Sequence, residues 1–486
     1  MKTNSLVVAA VAVAGSLALE ARTFHVDAWR GETVAALVED FAELGDVPAG
    51  LRVKFGVLKS VKYAPAVRSL KREEVCDRVV WGKTTGGPRV VEVSVPADAK
   101  PGVYACGHMN IRVVDRVLPP PREWKYFLDL WQHPWAVSRY HGVKPFSQAH
   151  YREMRPVYEL LASAGQKAIT TTLLPEPWNH QCYDAYDTMV GRVKRVDGTW
   201  AFDYSVFDEY VAFCRDCGLG PDIACYTMCP WGYVVRWQDE QGKTQSCVAK
   251  PGSREFDEYW GAFLEDFSKH LESKGWLKDA YIAMDERSPE DLAYIAKFVR
   301  RVAPGLKIAM AGNRRPSDFK GIEIDNYSQS LGHVDTSFLS EVADRRKAGR
   351  VTTYYVCCGP ARPNTFMDSG AGEAFWLGAY PAMVGLDGLL RWAWNSWPHD
   401  PKEDTTYGNW RAGDTFLCYP DGEPSWRFLE LRNGIIAAEK VRILKEAGLC
   451  GDDFAKVAAL YQKDEACANK SDFVKIRVAT LDFVNK

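Results

Sequence analysis

The pattern of hydrophobic and polar positions divides the chain into two parts. Between residues 22 and 118, short segments such as Leu51–Leu58 and Arg89–Val95 alternate apolar and polar residues, which is typical of strands with one buried face. A turn at Pro96–Gly102 leads to a further expected strand at Val103–Val113, and the prolines Pro119–Pro121 form a stiff boundary. We predict a small β-sandwich domain over residues 22–118.

After the prolines, apolar runs that suit strands alternate with amphipathic segments that suit helices. The expected strands are Lys125–Trp131, Lys167–Leu174, Asp222–Met228, Ala280–Glu286, Lys307–Gly312, Ile322–Ser328, Val351–Cys358 and Leu389–Trp397. The expected helices are Gln148–Ala164, Tyr204–Cys217, Arg254–Lys274, Pro289–Val302, Ser337–Ala348, Glu373–Val384 and Ser425–Glu446. This alternation predicts an α/β fold, a (β/α)8 TIM barrel over residues 119–450. A doubly wound open sheet is the second possibility. Residues 451–486 form a tail with no assigned role.

The first residues have the features of a secretory signal. Lys2 supplies a positive start, Leu6–Ala14 is a short apolar run, and small residues near Ala18 and Ala21 offer cleavage sites. We predict a signal peptide over residues 1–21 and export to the periplasm or outside the cell; an N-terminal strand or helix is the alternative. The run is too short to span a membrane, and no longer apolar run follows, so we expect no membrane insertion.

Composition and charge exclude some classes of protein. The 486 residues carry 61 Lys and Arg against 63 Asp and Glu, which argues against a nucleic-acid partner. The 17 Trp, 22 Tyr and 21 Phe suit either sugar binding, since indole rings stack on sugars, or a large aromatic core. Of the 13 cysteines, Cys214, Cys217, Cys225 and Cys229 lie closest together. Zinc binding and buried free thiols are both possible there, and buried thiols are favoured. We expect no metal and no cofactor; the disulfide pattern and oligomeric state remain open.

Residues near the carboxyl ends of the expected strands are candidates for substrate binding, because barrel active sites lie at that end. These residues are Trp131, His133, Asn313, Tyr327, Tyr355, Trp392 and Trp394. Trp392 and Trp394 share strand parity and should face the same side, either as an apolar wall of the pocket or packed against helices. Tyr327 shares parity with Glu323 and Asp325, which favours a polar upper lumen.

Asp285 and Glu286 are the candidate catalytic pair. They follow the apolar run Ala280–Met284 and should lie at the barrel mouth, where a frayed strand end allows both to face one pocket. Two close carboxylates do not ionise equally, so the pKa of one rises and it can act as a general acid. In the structural alternative, Asp285 caps the next helix and Glu286 pairs with Arg287. A conventional glycosidase places its two carboxylates on either side of the bond, whereas an adjacent pair suits catalysis in which the substrate's 2-acetamido group is the nucleophile.

Several segments together resemble glycoside hydrolase family 123, the β-N-acetylgalactosaminidases and their relatives. The segments are Leu128–Pro134, Ala164–Lys167, Asp197–Tyr204, Tyr281–Glu286, Pro363–Phe366, Leu390–Trp397 and Gly413–Pro420. The resemblance implies a (β/α)8 catalytic domain behind an N-terminal β-sandwich. It also implies that Glu286 is the general acid/base and that Asp285 stabilises an oxazolinium intermediate.

Analogy with other acetamido-assisted enzymes suggests roles for the remaining candidates. Tyr327 would bond the acetamido oxygen, and Trp392 and Trp394 would enclose its methyl group or stack on the ring. Asn313, Trp131 and His133 are weaker candidates for contacts with sugar hydroxyls.

The expected activity is removal of terminal β-linked N-acetylgalactosamine from glycans or glycolipid headgroups, with retention of configuration. The expected partner is thus an N-acetylhexosamine-containing carbohydrate. Alternatives are a sugar-binding relative without activity, a hexosaminidase of different specificity, and a conventional two-carboxylate retaining glycosidase.

Overall fold

The structure, a computed structural model, describes residues 24–38, 46–82, 85 and 87–486. The predicted signal peptide at residues 1–21 lies outside the described residues. Within the described residues, the chain forms an N-terminal pair of β-sheets followed by an eight-stranded parallel barrel. No helix among these residues is long and apolar enough to cross a membrane.

The N-terminal region packs one sheet against another. Its strands are β1 (Phe24–Arg30), β2 (Thr33–Val38), β3 (Arg52–Tyr63), β4 (Glu73–Trp81), β5 (Arg89–Ser94), β6 (Gly102–Cys106) and β7 (Met109–Val117). They form a three-stranded sheet in the order β1-β7-β6 and a four-stranded sheet in the order β2-β5-β3-β4. Val26 and Ile111 of the first sheet share one buried core with Val91 and Val93 of the second. Alternating side chains from two facing sheets make a sandwich.

The barrel strands are all parallel, and their order in the sheet follows the chain. They are β8 (Phe127–Leu130), β9 (Ala168–Thr172), β12 (Asp222–Tyr226), β15 (Ala280–Asp285), β16 (Lys307–Gly312), β17 (Asn326–Ser330), β18 (Val351–Tyr355) and β19 (Gly388–Arg391). A bridge between Leu128 and Gln166 joins the first strand to the second, and β19 pairs with β8. The predicted α/β class and (β/α)8 barrel are confirmed, and the open doubly wound sheet is excluded.

Helices surround the barrel and continue into the C-terminal tail. They are α1 (Pro134–His141), α2 (Gln148–Ala162), α3 (Ser205–Asp216), α4 (Arg254–Ser273), α5 (Pro289–Val302), α6 (Thr336–Lys347), α7 (Glu373–Val384), α8 (Trp426–Glu446), α9 (Gly451–Ala458), α10 (Lys463–Cys467) and α11 (Phe473–Val484). Between β16 and β17 the connection contains a single 3-10 turn at Pro316–Asp318.

Two long connections of the barrel form a small sheet that the sequence pattern does not reveal. The connection after β9 contains β10 (Gly191–Lys194) and β11 (Trp200–Asp203), and the connection after β12 contains β13 (Val234–Asp239) and β14 (Thr244–Val248). They join in the order β11-β10-β13-β14. The sheet therefore ties together the loops that follow two neighbouring barrel strands.

Helix α8 joins the sandwich to the barrel through buried polar contacts. Asn433 bonds both the N–H and the carbonyl of Ala35, at 3.3 and 2.8 Å. The Lys440 ammonium lies 2.6 Å from a carboxylate oxygen of Glu32 and donates to the Asn485 side chain at 2.9 Å. The Trp29 indole of the sandwich donates to the Val484 carbonyl of the C-terminal tail at 3.0 Å. The tail, which had no predicted role, thus helps to hold the sandwich on the barrel.

Candidate active site

A cavity of about 160 Å³ opens at the carboxyl end of the barrel strands. Its lining combines one pair of carboxylates, a wall of aromatic rings and two thiols. The lining residues are Trp131, Trp178, Gln181, Trp231, Asp285, Glu286, Ala311, Tyr355, Cys357, Cys358, Leu390, Trp392 and Trp410. Both predicted catalytic residues lie here, together with three of the seven predicted substrate-binding residues, namely Trp131, Tyr355 and Trp392.

The local backbone explains how two adjacent carboxylates face one cavity. On β15, alternation directs Tyr281 into the barrel and Asp285 into the cavity above it. The strand ends at Asp285, and Glu286 takes a left-handed conformation with φ of 48°. This conformation is uncommon for a residue with a side chain and breaks the alternation, so that Glu286 also lines the cavity.

The environment of Asp285 disfavours the charged form of its carboxyl group. Burial, and next the charge of Glu286, raise the pKa of Asp285 from 3.8 to about 7, while the Arg287 guanidinium and a hydrogen bond from Trp231 oppose this rise. The Arg287 side chain donates to the Asp285 carbonyl at 2.7 Å and lies over the Trp231 ring at 4.9 Å. The site therefore holds one carboxyl whose charged form is disfavoured in the free protein.

Glu286 is held from the opposite side of the cavity by a tyrosine. Tyr355 ends β18, and its hydroxyl donates to Glu286 Oε1 at 2.6 Å. Burial and this hydrogen bond raise the pKa of Tyr355, so the phenol remains a neutral donor. Tyr355 therefore fixes the orientation of the Glu286 carboxyl group.

Aromatic rings form the cavity wall and support one another. Trp131 follows β8 and stacks on Trp178, with ring centroids 4.9 Å apart. Trp392 follows β19 and meets Trp410 edge to face at 5.4 Å. The indole N–H of Trp392 donates at 3.0 Å to Asp414, which is fully buried. Flat apolar faces fixed in this way suit stacking on a sugar ring.

The structure places Trp394 and Tyr327 away from the cavity, which corrects two of the predicted positions. β19 ends at Arg391, so strand alternation no longer governs Trp394, which is fully buried against Phe428 at 4.7 Å. Tyr327 lies between Asn326 and Ser328 on β17, and the side chains of these two neighbours line the barrel interior. Tyr327 therefore points outward, and its hydroxyl donates to the Arg314 carbonyl.

His133 and Asn313 are also absent from the cavity lining. His133 lies just before α1, is fully buried, and stacks on Tyr186 with centroids 3.6 Å apart. Burial lowers its pKa to about 3, so the ring is neutral. Asn313 follows β16 on the exposed surface. Both residues lie beyond the ends of their strands, where parity carries no positional information.

Several lining residues were not predicted as site residues. Trp178 and Trp231 each follow a proline after the second and third barrel strands, and this position at a strand end was an available signal. Trp410 comes from the long segment between β19 and α8, and its N–H donates to the Gln181 carbonyl at 2.8 Å. No local pattern indicates that these two loops meet.

Two further groups of potential metal ligands lie outside the cavity lining. Cys214, Cys217, Cys225 and Cys229 are buried and form no disulfide, and they are not among the described side chains close enough together to hold one ion. Among the described residues, the side chains grouped closely enough to hold a cation are His141, Glu153 and Asp421. The Glu153 carboxylate faces Nδ1 of His141, and the Asp421 carboxylate faces Nε2 of the same ring. This arrangement does not suit a single ion.

A carboxylate pair in an aromatic-lined cavity of a (β/α)8 barrel suits a glycoside hydrolase, and comparison with known proteins identifies the family. The catalytic-domain model of glycoside hydrolase 123 matches residues 131–444. The chain belongs to glycoside hydrolase family 123, as its sequence motifs indicated. A comparison with curated proteins found no similar sequence.

Solved structures support the same fold. A family 123 glycoside hydrolase from Clostridium perfringens, studied for glycolipid glycan hydrolysis, is 23% identical, with a TM-score of 0.80 over 96% of this chain and 92% of that chain. A family 10 xylanase from termite gut is 11% identical, with a TM-score of 0.37 over 87% of this chain and 99% of that chain. The first similarity establishes a shared fold over nearly the whole chain, and the second is too slight to carry an argument.

Proposed function

We propose that this glycoside hydrolase removes terminal β-linked N-acetylgalactosamine from glycans or glycolipid headgroups, with retention of configuration. The observation that carries the proposal is the placement of Asp285 and Glu286 side by side in one aromatic-lined cavity. Among the described residues that line this cavity, the acidic side chains are these two. The reported action of the Clostridium perfringens relative on glycolipid glycans is consistent with this substrate class.

In the proposed mechanism the nucleophile comes from the substrate. The carbonyl oxygen of the 2-acetamido group attacks the anomeric carbon while Glu286 protonates the departing oxygen. The bond to the aglycone breaks, and an oxazolinium ion forms. Glu286 then removes a proton from water, which attacks the anomeric carbon from the face that the aglycone left. The bond from this carbon to the acetamido oxygen breaks, and the acetamido group is restored. Two inversions at one carbon give net retention.

Asp285 has a separate role in this mechanism. In the proposed substrate complex the proton of the pair lies on Glu286. The Asp285 carboxylate then accepts a hydrogen bond from the acetamido N–H and lies next to the positive charge that develops on the oxazolinium. A partly buried carboxylate whose charge is poorly solvated interacts strongly with a cation formed beside it. The raised pKa of Asp285 in the free protein reflects this poor solvation.

A conventional double displacement is the second candidate. It requires a carboxylate nucleophile on the face of the sugar opposite the acid, with the two carboxyl groups about 5 Å apart. Glu176 is an acidic side chain outside the cavity lining; it borders an adjoining pocket with Trp131 and Trp178. The adjacent pair favours the acetamido mechanism, and a thiazoline analogue of the oxazolinium distinguishes the two, because it should inhibit only the first.

The test of the proposal compares leaving groups. Wild type should release nitrophenol from nitrophenyl β-N-acetylgalactosaminide, and faster than from the gluco isomer. In Glu286→Gln the loss should be large with nitrophenol and much smaller with the more acidic dinitrophenol, which leaves without protonation. Asp285→Asn should lose activity with both. Glu290→Gln, an exposed residue on α5, is the matched control.

Two results would contradict the proposal. If folded wild-type protein binds the sugar but releases no nitrophenol, the chain is a binding relative. If Glu286→Gln is equally impaired with both leaving groups, Glu286 is not the general acid.

A further inference from the structure

Two adjacent cysteines lie in the wall of the candidate active-site cavity, and the proposed mechanism makes no use of them. Cys357 and Cys358 follow β18, directly after the segment that carries Tyr355. Both line the cavity. Cys357 is partly buried and Cys358 is exposed, and their sulfur atoms lie 3.8 Å apart.

The contact between the two thiols makes them chemically unequal. The hydrogen bond from Cys357 stabilises the thiolate of Cys358 and lowers its pKa to about 7, while the pKa of Cys357 is raised. A thiolate is the nucleophile in thiol–disulfide exchange, and exposure gives reagents access to it. Cys358 is therefore the attacking thiol, and Cys357 is placed to attack next.

We propose that Cys357 and Cys358 form a modification site for low-molecular-weight disulfides, and that the reaction ends in a disulfide between the two. The site is distinct from the acid pair but shares its cavity. Its ligand class is defined by thiol chemistry and does not depend on the sugar that the enzyme cleaves.

The reaction has two exchange steps that balance. The Cys358 thiolate attacks one sulfur of the reagent R–S–S–R, forms a mixed disulfide and releases one thiolate R–S⁻. Cys357 then loses its proton to solvent and attacks the Cys358 sulfur, which releases the second R–S⁻. The cysteine pair is oxidised by two electrons, and the reagent is reduced to two thiols.

Closing the disulfide should alter the cavity. The sulfur atoms must approach from 3.8 Å to about 2.05 Å, and because the residues are adjacent, this movement must involve the main chain that joins them. That segment follows Tyr355, which orients Glu286. We therefore expect weaker substrate binding in the oxidised protein and recovery with dithiothreitol, since strained, exposed disulfides are readily reduced.

Peptide mass provides a direct test on the full-length chain. The probe is 5,5′-dithiobis(2-nitrobenzoic acid), and unreacted thiols are then blocked with iodoacetamide. Trypsin should cut after Arg350 and Arg391 but not at Arg362, which precedes proline, so peptide 351–391 carries Cys357 and Cys358 as its two cysteines. We expect this peptide to lose two hydrogens and to retain no thionitrobenzoate.

Single variants separate the two steps. Cys357→Ser should retain thionitrobenzoate on Cys358, because no second thiol displaces it. Cys358→Ser should react far more slowly at Cys357. A wild-type peptide that stays fully reduced, or that keeps thionitrobenzoate as a stable adduct, would overturn the proposal.

The effect on the cavity is measured separately. After treatment, kcat/KM of wild type should fall about tenfold and recover with dithiothreitol. Cys358→Ser, compared with its own untreated form, should keep its kcat/KM, because it forms neither the mixed disulfide nor the internal one. An unchanged kcat/KM in fully oxidised protein would refute the link to substrate binding. The effect on hydrolysis rests on the proposed function, but the peptide mass does not, so the two can fail independently.

Discussion

The raised pKa of Asp285 predicts that ionisation of this side chain lowers the free energy of unfolding. Asp285→Asn should remove this cost. The folded protein holds the Asp285 proton up to about pH 7, whereas the carboxyl group ordinarily releases it near 3.8. Between these values the folded state binds more protons than the unfolded state. The free energy of unfolding must therefore fall as the pH rises through this range.

The size of the effect follows from the two pKa values. The full difference corresponds to about 4 kcal/mol, of which about 2–3 kcal/mol develops between about pH 5 and about pH 8. Because the Asp285 side chain is only partly buried, solvent screening reduces this to about 1–2 kcal/mol. Asp285→Asn should thus be more stable than wild type, and its advantage should grow by that amount from the lower to the higher pH.

Denaturant midpoints and thermal midpoints of the two proteins at both pH values provide the measurement. Asp129 inside the barrel has a similarly raised pKa and titrates in both proteins. The variant is therefore compared with wild type at the same pH, so that the contribution of Asp129 cancels. Asp98→Asn, at an exposed position in the turn before β6, is the control and should show no such trend. If the advantage of Asp285→Asn is constant or shrinks as the pH rises, the electrostatic description of the site is wrong.

Four further predictions follow from the structure. In wild type, kcat/KM should fall as the pH rises above about 7, because the last proton then leaves the carboxyl pair; a rate that stays level to about pH 9 would contradict this. Trp392→Phe, which loses the bond to Asp414, should raise KM about tenfold with a smaller change in kcat. Trp394→Phe should lower the free energy of unfolding by about 1–3 kcal/mol and leave KM unchanged, since Trp394 lies outside the cavity; a raised KM would count against its assigned position. Asn485→Ala removes a partner of the buried Lys440 and should cost about 1–3 kcal/mol in denaturant unfolding, and an unchanged midpoint would refute the role of the tail.

The sequence predicts the barrel well because its elements carry strong local signals. Helix α5 begins and ends where predicted, at Pro289 and Val302. Ser288 accepts a hydrogen bond from the Asp291 N–H at the start of this helix, and proline occupies its first position. Strand β16 also keeps its predicted bounds.

The inserted sheet could not be predicted from such local signals. Strands β10 and β11 are four residues long, and β13 and β14 are only slightly longer. The pairing of β10 with β13 joins residues 45 positions apart, such as Val193 with Gln238, and short strands of this kind depend on tertiary contacts.

At the candidate site, strand parity predicts the direction of a side chain correctly only where the strand geometry continues. Trp131 and Trp392 lie one residue beyond their strands and still face the cavity, whereas His133 and Trp394 lie three residues beyond and do not. For Tyr327, the expected strand starts at Ile322, whereas β17 starts at Asn326. Asp325, which shares the parity of Tyr327, lies before the strand and pairs with Arg300 near the surface, so it gives no evidence for a polar lumen. The position of Asp285 and Glu286 at the cavity was predictable because they directly follow a buried apolar run.

The most direct test of the central claim is the dependence of rate on the nucleophilicity of the acetamido group. Nitrophenyl glycosides that carry N-acetyl, N-fluoroacetyl, N-difluoroacetyl and N-trifluoroacetyl groups would be compared with the wild-type enzyme. If the substrate's own carbonyl oxygen is the nucleophile beside Asp285 and Glu286, kcat/KM should fall steeply with each added fluorine. A rate that does not depend on fluorination would contradict the mechanism and would require a nucleophile from the protein.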